Sequence, residues 1–371
     1  MIAREIFFVA AEASADLHGS AVARALHMLR PDLQLAGIGG KRMKSAGVTL
    51  IEDAERLAVM GFVEVLTHVP HHWALLRQIR ARLAGGRVAL VLLMDYPGFN
   101  MKVAAAAHEA GVPVLYYITP QVWAWGAGRL DELARTVTRA AVILPFEEAL
   151  LRAHGINAEF VGHPLLDRAT ALPDRLQARK KLSLPEDAKV LALFPGSRAQ
   201  EIARHLAPFV AVGLEMQRRV PALRIVVAAS PTVDLRDDDV PFAIARDDSF
   251  TVLRAADAAM CKSGTTTLEA AVAGCPLVVA YRTSAITYAL ARHFIRIPHI
   301  GLVNVVAGRE VAREFVQDAL QPARVADALV PLLDDTAARA ESLRGLAEVR
   351  SRLGTPGAAA RVAEIASVLT R

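Results

Sequence analysis

Residues 191–198 read Leu-Ala-Leu-Phe-Pro-Gly-Ser-Arg, an apolar strand that ends in a tight turn directly before a helical stretch. Backbone N–H groups at the start of a helix point at whatever lies beyond it, and the helix dipole favours an anion there. Gly196 and Ser197 supply the turn and a hydroxyl donor, and Arg198 adds a planar guanidinium that matches phosphate oxygens. Taken alone, the stretch is equally compatible with a phosphate site and with an ordinary turn that carries a surface arginine.

The same order of strand, turn and helix recurs along the whole chain. This alternation predicts an α/β fold with parallel sheets that helices cover on both faces. The length of 371 residues corresponds to about two domains, and the polar segment 173–187 is the best candidate for the link between them. We expect two doubly wound, Rossmann-like domains over residues 1–168 and 169–354, with a C-terminal helix at 355–371 that joins the first.

Apolar runs and helical periodicity locate the individual elements. Residues 88–93 are almost purely apolar, as is typical of a strand buried on both faces. Strands are predicted near residues 5–11, 34–38, 88–94, 113–118, 140–144, 158–161, 189–194, 223–229, 257–261 and 276–280. Helices are predicted near residues 18–30, 62–83, 99–110, 128–137, 147–154, 199–219, 265–273, 284–293, 322–334 and 338–351.

Composition excludes several classes of protein. The chain is 53% hydrophobic, which argues against disorder, and only 5% aromatic, so the cores should be aliphatic. No apolar run is long enough to span a bilayer, and Arg4 and Glu5 lead straight into a strand rather than a signal-peptide core. We therefore expect a cytoplasmic protein that is soluble or peripheral. Cys261 and Cys275 stand in apolar surroundings and should be buried thiols.

Asp95 is the strongest catalytic candidate, because it follows strand 88–94 at the carboxyl end of the predicted sheet. Apolar walls beside such a carboxylate would raise its pKa and suit it to proton abstraction. The alternative is a helix N-cap. Asn100 is better placed for that task, which leaves Asp95 for chemistry.

Two further loops offer groups that suit a nucleotide. Ser263, Gly264 and Thr265 form a second turn before a helix, and Glu269 in that helix could accept ribose hydroxyls, although a glutamate near a helix start is also ordinary. Loop 301–310 contributes Asn304, which can donate and accept, and Arg309, which can pair with phosphate.

The loop after the first strand and a tryptophan loop are weaker candidates for binding an acceptor. Glu12, Ser14 and Asp16 lie in the first, where helix capping by Ser14 or Asp16 is the simpler interpretation. Trp123 could line an acyl or sugar site, or pack between domains. The acidic run 237–239 suggests a solvated turn, and no spacing fits a metal site, so we expect neither metal nor cofactor.

Segment 62–83 has apolar residues at steps of three and four, which predicts an amphipathic helix with a break or kink at Pro70. Its apolar stripe either packs on the core or, with the nearby cations, binds an anionic membrane surface. The candidate membrane contacts are Phe62, Val69, Trp73, Leu76, Arg77 and Arg80.

Several blocks occur together in a fixed order, and the set is far more specific than any one of them. The blocks lie at residues 57–65, 95–100, 120–125, 195–198, 263–265 with 269, and 304 with 307–310. The chain resembles the lipid-A-disaccharide synthase family of inverting glycosyltransferases. The resemblance runs nearly end to end, and these blocks are its most specific part. The resemblance implies two facing Rossmann-like domains of the GT-B type. Where the family usually has two glycines in the first loop, this chain has Ala11 and Ala15, which puts the geometry of that loop in question.

The resemblance also implies a reaction. UDP-2,3-diacylglucosamine would donate its sugar to 2,3-diacylglucosamine 1-phosphate, giving a β-1,6-linked disaccharide phosphate and UDP. Asp95 matches the family's proposed general base, and Arg198, Glu269 and Asn304 match its nucleotide-site positions. Residues 1–168 would bind acceptor and lipid, and residues 169–354 the UDP-sugar. The protein would be peripheral on the inner membrane, and a homodimer that exchanges C-terminal segments is one option.

Two other classes of function stay open at this point. One is another UDP-sugar enzyme of the same architecture, such as a non-hydrolysing 2-epimerase, which leaves the apolar segment 62–83 unexplained. The other is a non-catalytic basic protein that binds membrane or nucleic acid, in line with a net charge of +5. Because the basic residues are dispersed and not interleaved with aromatics, we expect no nucleic acid partner.

Overall fold

Two parallel sheets organise the chain, one in each of two units. The structure is a computed structural model that describes residues 4–54, 65–123, 128–230, 233–284 and 298–371. The first unit comprises Met1–Pro164 and Thr355–Arg371, and the second comprises Leu165–Gly354. The division falls at Pro164, whereas the sequence placed the boundary at residue 168.

The first unit is a seven-stranded sheet with helices between its strands. The strands are β1 (Glu5–Ala10), β2 (Gln34–Gly39), β3 (Thr49–Asp53), β4 (Val88–Met94), β5 (Val114–Tyr117), β6 (Arg139–Val142) and β7 (Ala158–Phe160). The helices are α1 (Ala13–Leu29), α2 (Lys41–Ser45), α3 (Val65–Ala84), α4 (Pro97–Glu109), α5 (Gly128–Thr136) and α6 (Pro145–Ala153). All neighbours are parallel in the order β3-β2-β1-β4-β5-β6-β7. The order reverses between β1 and β4, which is where doubly wound sheets bind ligands.

The second unit repeats this plan with six strands. The strands are β8 (Val190–Phe194), β9 (Arg224–Ala228), β10 (Ala243–Ala245), β11 (Ala258–Lys262), β12 (Leu277–Tyr281) and β13 (Glu314–Val316). The helices are α7 (Leu165–Arg168), α8 (Arg175–Lys181), α9 (Ala199–Arg219), α10 (Ser249–Ala255), α11 (Thr266–Ala273), α12 (Leu302–Ala307), α13 (Pro322–Leu329) and α14 (Ala337–Arg352). The order β10-β9-β8-β11-β12-β13 is again all parallel, and it reverses between β8 and β11.

Alternate residues of the central strands feed two apolar layers, one on each face of a sheet. In the first unit Phe7 and Val91 belong to one buried cluster, and Phe8 and Leu92 to the other. The C-terminal helix α15 (Ala358–Leu369) belongs to the second of these layers, where it packs against α1. Each such side chain contributes about 1.5–3 kcal/mol through burial, so the core fixes both sheets and the loops at their edges.

Two elements differ from the sequence-based expectation, and a third lies almost entirely outside the described residues. Helix α3 continues from Val65 through Pro70 to Ala84, so of the two expectations for Pro70, a break or a kink, the break is wrong. The proline removes one hydrogen bond near the start of a 20-residue helix. Part of the loop predicted at 301–310 is instead the short helix α12. The helix predicted at 284–293 lies almost entirely outside the described residues.

The two cysteines, Cys261 and Cys275, are both buried and unbridged, as the sequence predicted. Among the helices of the described ranges, none is long and apolar enough to cross a membrane.

Candidate functional site

The switch points bring the candidate loops together within each sheet. In the first unit Ala10 pairs with Met94, so the loops that carry Glu12 and Asp95 leave neighbouring strand ends. In the second unit Phe194 pairs with Cys261, so the turns at 195–198 and 262–265 lie side by side. The candidate residues therefore form two groups, one at the carboxyl edge of each sheet.

Asp95 lies in a backbone conformation that few non-glycine residues adopt. Asp95 and Tyr96 both have left-handed φ, 49° and 45°. Such residues cost about 1–3 kcal/mol each and persist only where surrounding contacts hold them. The carbonyl oxygen of Asp95 accepts hydrogen bonds from Asn100 Nδ2 at 2.7 Å and from Tyr116 Oη at 2.8 Å. Burial, with the charge of Asp95 adding to it, raises the pKa of Tyr116, so its hydroxyl remains a donor.

Asn100 has a different role from the one that the sequence suggested. The expected N-cap at this residue is wrong: the N-cap position of α4 is Tyr96, and no side chain caps the helix there. Asn100 is fully buried within the first turns of α4, and its Nδ2 also donates to the carbonyl of Met94 at 3.0 Å. Because both acceptors lie at the end of β4, Asn100 ties the helix back to the strand that it follows.

Further polar groups surround this edge of the first sheet. Tyr96 Oη lies 3.4 Å from His72 Nε2, and burial together with the charge of Glu12 raises the pKa of Tyr96. Burial lowers the pKa of His163 to about 3, with a smaller contribution from His18, so His163 is neutral at physiological pH. The sequence analysis gave none of these histidines a role; the only signal for His163 was its place just after a strand end.

Asp16 has a structural role. Its buried carboxylate accepts backbone N–H groups of Gly40, Arg42 and Met43 at 2.7, 3.1 and 3.0 Å. It therefore caps α2, a helix far from it in sequence, and its contact with an acceptor stays a prediction.

Helix α1 forms normally although Ala11 and Ala15 stand where the family usually has glycines. Glu12 occupies the N-cap position of α1 without a capping bond from its side chain, and Ser14 is exposed in the first turn. Ala11 and Ala15 are buried and neither has a positive φ, so the loop accommodates both alanines.

Trp123 is half-buried, and its indole N–H is already engaged. It donates to Glu147 Oε1 at 3.0 Å, while Glu147 Oε2 accepts the backbone N–H of Leu144 at 3.0 Å. Burial raises the pKa of Glu147 to about 7, against the lowering effect of these bonds. Trp123 also packs edge-on against Phe146. Because its indole N–H is engaged, Trp123 can contact a ligand only through its aromatic ring.

In the second unit, the turn after β8 leads from a buried strand directly into a helix, as the sequence predicted. Gly196 has φ of 143°, and a Cβ there would come within 2.6 Å of Glu201 Cβ, so only glycine fits. Arg198 occupies the N-cap position of α9, and its side chain is 71% exposed. Its guanidinium is thus presented to solvent beside the start of a 21-residue helix.

The turn after β11 lies beside it. Ser263 Oγ donates to the carbonyl of Ile300 at 2.6 Å, so this hydroxyl fastens two loops rather than facing a ligand. Gly264 has φ of 156°, and Thr265 is exposed just before α11. The sequence analysis gave no role to Lys262, whose Nζ lies 2.8 Å from Glu201 Oε1. The signal for it was a lysine that ends an otherwise apolar strand.

Glu269 lies at the same sheet edge, but an arginine holds it. Arg168 Nη1 donates to Glu269 Oε1 at 2.9 Å, and Arg168 Nη2 lies 2.5 Å from Asp248 Oδ1. Burial raises the pKa of Glu269, and the Arg168 charge opposes that rise. The sequence did not single out Arg168, which also lies over the ring of Phe250.

Asn304 lies next to the turn after β11, because the backbone N–H of Val303 donates to Thr267 Oγ1 at 3.3 Å. Asn304 is fully buried; its Nδ2 donates to Ala312 O and Glu314 Oε1, and its Oδ1 accepts two backbone N–H groups. Its hydrogen bonds brace its own loop, and its contact with a nucleotide stays a prediction. Arg309 follows the far end of α12 and pairs with Glu348 at 2.6 Å, and its phosphate contact stays a prediction.

The predicted membrane stripe divides into buried and exposed residues. Leu76 is only 5% exposed within the core, so its predicted membrane contact is wrong. Trp73 is 57% exposed with Lys102 Nζ 5.5 Å from its ring centre, and Arg77 and Arg80 are exposed. Phe62 and the side chain of Val69 lie outside the described residues.

The fold matches solved structures of enzymes that act on nucleotide sugars or transfer sugars. A calicheamicin glycosyltransferase aligns with a TM-score of 0.63 at 16% identity, covering 100% of this chain and 98% of that one. A UDP-GlcNAc 2-epimerase from Neisseria meningitidis, bound to UDP-GlcNAc, aligns with a TM-score of 0.60 at 12% identity, covering 98% of both chains. At such identities the likeness defines the fold, which is the GT-B type, and leaves the choice between transferase and epimerase to the sequence.

Sequence comparison makes that choice. The family model described as lipid-A-disaccharide synthetase matches residues 6–359. A lipid-A-disaccharide synthase from Anaeromyxobacter sp. (strain K) is 40% identical over 368 residues, covering 97% of this chain and 96% of the relative. The chain belongs to the lipid-A-disaccharide synthase family, and it is a glycosyltransferase.

Proposed function

We propose that this protein transfers 2,3-diacylglucosamine from UDP to 2,3-diacylglucosamine 1-phosphate. The observation that carries the proposal is the position of Asp95 at the switch point of the first sheet, in a chain that belongs to this family. Hydrogen bonds from Asn100 and Tyr116 hold its backbone there. Acceptor and acyl chains are assigned to the first unit, and the UDP-sugar to the second.

Asp95 is the proposed general base. Its carboxylate takes the proton of the acceptor's 6-hydroxyl while that oxygen attacks the anomeric carbon of the donor from the face opposite UDP. The new bond joins oxygen 6 to the anomeric carbon. The bond from that carbon to the diphosphate oxygen breaks, and its electron pair leaves with UDP. The result is inversion and a β-1,6 linkage.

The leaving diphosphate requires positive charge and N–H donors. The turn at Gly196, Ser197 and Arg198 supplies a guanidinium and the start of α9, and the turn at Gly264 and Thr265 supplies the start of α11. Donors that are fixed before the reaction stabilise developing charge without reorganisation. We therefore propose a mechanism that needs no metal ion.

The substrates carry acyl chains, so the protein must collect them from a lipid surface. We propose that it associates peripherally with the inner membrane through the exposed face of α3, on which Trp73, Arg77 and Arg80 are exposed and beside which Lys102 lies. An exposed aromatic ring flanked by cations suits an anionic interface.

The test is UDP release from UDP-2,3-diacylglucosamine with and without the acylated acceptor, in buffer that contains EDTA. The proposal expects UDP release that depends on the acceptor, together with a disaccharide phosphate identified by mass spectrometry. Release without acceptor, conversion of the donor to an epimer, or activity that EDTA abolishes and Mg²⁺ restores would each contradict it.

A further inference from the structure

Two turns that belong to different strands share one carboxylate in the second unit. Strands β8 and β11 are parallel neighbours, and Phe194 pairs with Cys261, so the chain leaves both at the same edge. Glu201, in the first turn of α9, lies between the turns that follow. Its Oε2 accepts the backbone N–H of Ser197 at 2.9 Å, and its Oε1 accepts from Lys262 Nζ at 2.8 Å.

The donors on this carboxylate are those that a phosphate would use. They comprise a backbone N–H from the turn before a helix and an ammonium group, with the Arg198 guanidinium at 3.9 Å from Glu201 Oε1. Phosphate sites in proteins combine the same three kinds of donor. The carboxylate of Glu201 thus occupies a set of donors that would also suit the phosphate of a bound ligand.

Lys262 lies where it can reach a ligand on both turns. Its side chain is 19% exposed, and its Nζ is 5.9 Å from the ring centre of Tyr281. A Cβ added to Gly264 would meet Lys262 Nζ at 3.8 Å and nothing nearer, so the ammonium lies next to the bare backbone before α11. An ammonium has three hydrogens to donate, and Glu201 is the acceptor found for it at hydrogen-bond distance among the described residues.

We propose that Lys262 is a diphosphate ligand of the nucleotide sugar and that Glu201 stands in for the diphosphate when no nucleotide is bound. When the nucleotide binds, the ammonium of Lys262 donates to the diphosphate instead of to Glu201. The negative charge of the Glu201 carboxylate then competes with the diphosphate for this ammonium. The inference rests on the proposed function, because it assumes that the second unit binds UDP. It adds a cation that lies on β11, separate from Arg198 on the turn after β8.

Calorimetric titration with UDP and with uridine tests this on the full chain. Glu201→Gln keeps an acceptor for Ser197 but removes the competing charge, so we expect tighter UDP binding than in the wild type. Lys262→Met alone leaves the Glu201 carboxylate without its cation. The informative comparison is therefore Lys262→Met with Glu201→Gln against Glu201→Gln alone. In this pair the loss of lysine should weaken UDP binding by about tenfold or more and leave uridine binding unchanged.

Matched variants control for charge and folding. Lys189→Met removes a lysine that precedes β8 at the opposite edge of the same sheet, where it pairs with Asp334, and it should leave UDP affinity unchanged. Lys262→Arg keeps the charge and should retain binding. Thermal unfolding confirms that each variant is folded.

Three outcomes would overturn the inference or its basis. Equal UDP affinity in Glu201→Gln with and without Lys262→Met would exclude Lys262 as a ligand. Weaker UDP binding in Glu201→Gln than in the wild type would mean that the carboxylate braces the turns instead of competing with the nucleotide. A wild-type protein that does not bind UDP at all would overturn the proposed function itself, which separates the two failures.

Discussion

Asn100 Nδ2 donates to the backbone carbonyl of Asp95 across 2.7 Å, from the first turns of the helix that follows it. Tyr116 Oη, on the neighbouring strand β5, donates to the same oxygen across 2.8 Å. Two donors on one carbonyl hold Asp95 and Tyr96 in the left-handed region, where non-glycine residues are strained. The direction of the Asp95 carboxylate therefore depends on the hydrogen bonds that Asn100 and Tyr116 donate to its backbone carbonyl.

Tyr116→Phe should lower kcat by about tenfold or more, because a small displacement of a base from its proton costs much of its rate. KM for both substrates and UDP affinity should stay within about twofold of wild type, since the ring still fills its place in the core. Steady-state kinetics with each substrate varied in turn measure this split.

Thr136→Val is the matched control. Thr136 is also buried in the first unit and donates to the Glu132 carbonyl at 2.7 Å, within α5. Both substitutions remove one buried hydroxyl and should cost about 1 kcal/mol of stability. If kcat falls equally in both variants, Tyr116 does not position Asp95.

Asp95→Asn keeps the shape of the side chain and removes the base. Because general base catalysis typically contributes about 10²–10⁴-fold, kcat should fall in that range while UDP affinity is unchanged. Single-turnover assays with saturating donor measure the chemical step. Near-normal turnover would exclude Asp95 as the base.

Arg198→Ala and Arg309→Ala make a matched pair in the second unit. Arg198 stands exposed beside the turn after β8, where the diphosphate is proposed to bind, whereas Arg309 pairs with Glu348 beyond the far end of α12. Losing a charge-assisted bond to phosphate should weaken UDP by about 1.5–3 kcal/mol in Arg198→Ala. Calorimetry should find no change in Arg309→Ala. The reverse pattern would support the phosphate contact that the sequence predicted for Arg309.

Trp73→Ser should reduce pelleting with anionic liposomes at low salt and leave both UDP affinity and thermal stability near wild type, because Trp73 is 57% exposed. Leu76→Ala, three residues further along α3, should instead destabilise the protein by about 2–5 kcal/mol, since Leu76 is buried. Liposome binding that does not respond to salt or to Trp73→Ser would place the membrane contact elsewhere.

Glu147 should make stability depend on pH near neutrality. Burial raises its pKa from an ordinary 4.5 to about 7, so between these values the folded protein holds a proton that the unfolded chain has released. The free energy of unfolding should therefore fall as pH rises through this window, by about 3 kcal/mol at most. Urea unfolding across the window should give a flatter profile for Glu147→Gln. Equal slopes would show that Glu147 titrates normally.

The local elements and the sheet edge at which the site lies could be predicted from the amino-acid sequence. Strand β4 and helix α9 follow from an apolar run and from helical periodicity, which depend on neighbouring residues only. Because parallel strands end at a common edge, the turns at Asp95, Gly196 and Gly264 could be placed at the site before any tertiary contact was known.

Which side chains stay available to a ligand depends on contacts between elements that are far apart in the chain. Asp16 caps a helix that begins about 24 residues further along the chain, and the amide of Asn304 hydrogen-bonds within its own loop. Leu76 is buried in the core, whereas Trp73 is exposed. Glu201 meets Lys262 from 61 residues away, across two neighbouring strands. A polar side chain bonds to whichever partner the packing of distant elements brings within about 3 Å, and no local pattern encodes that choice.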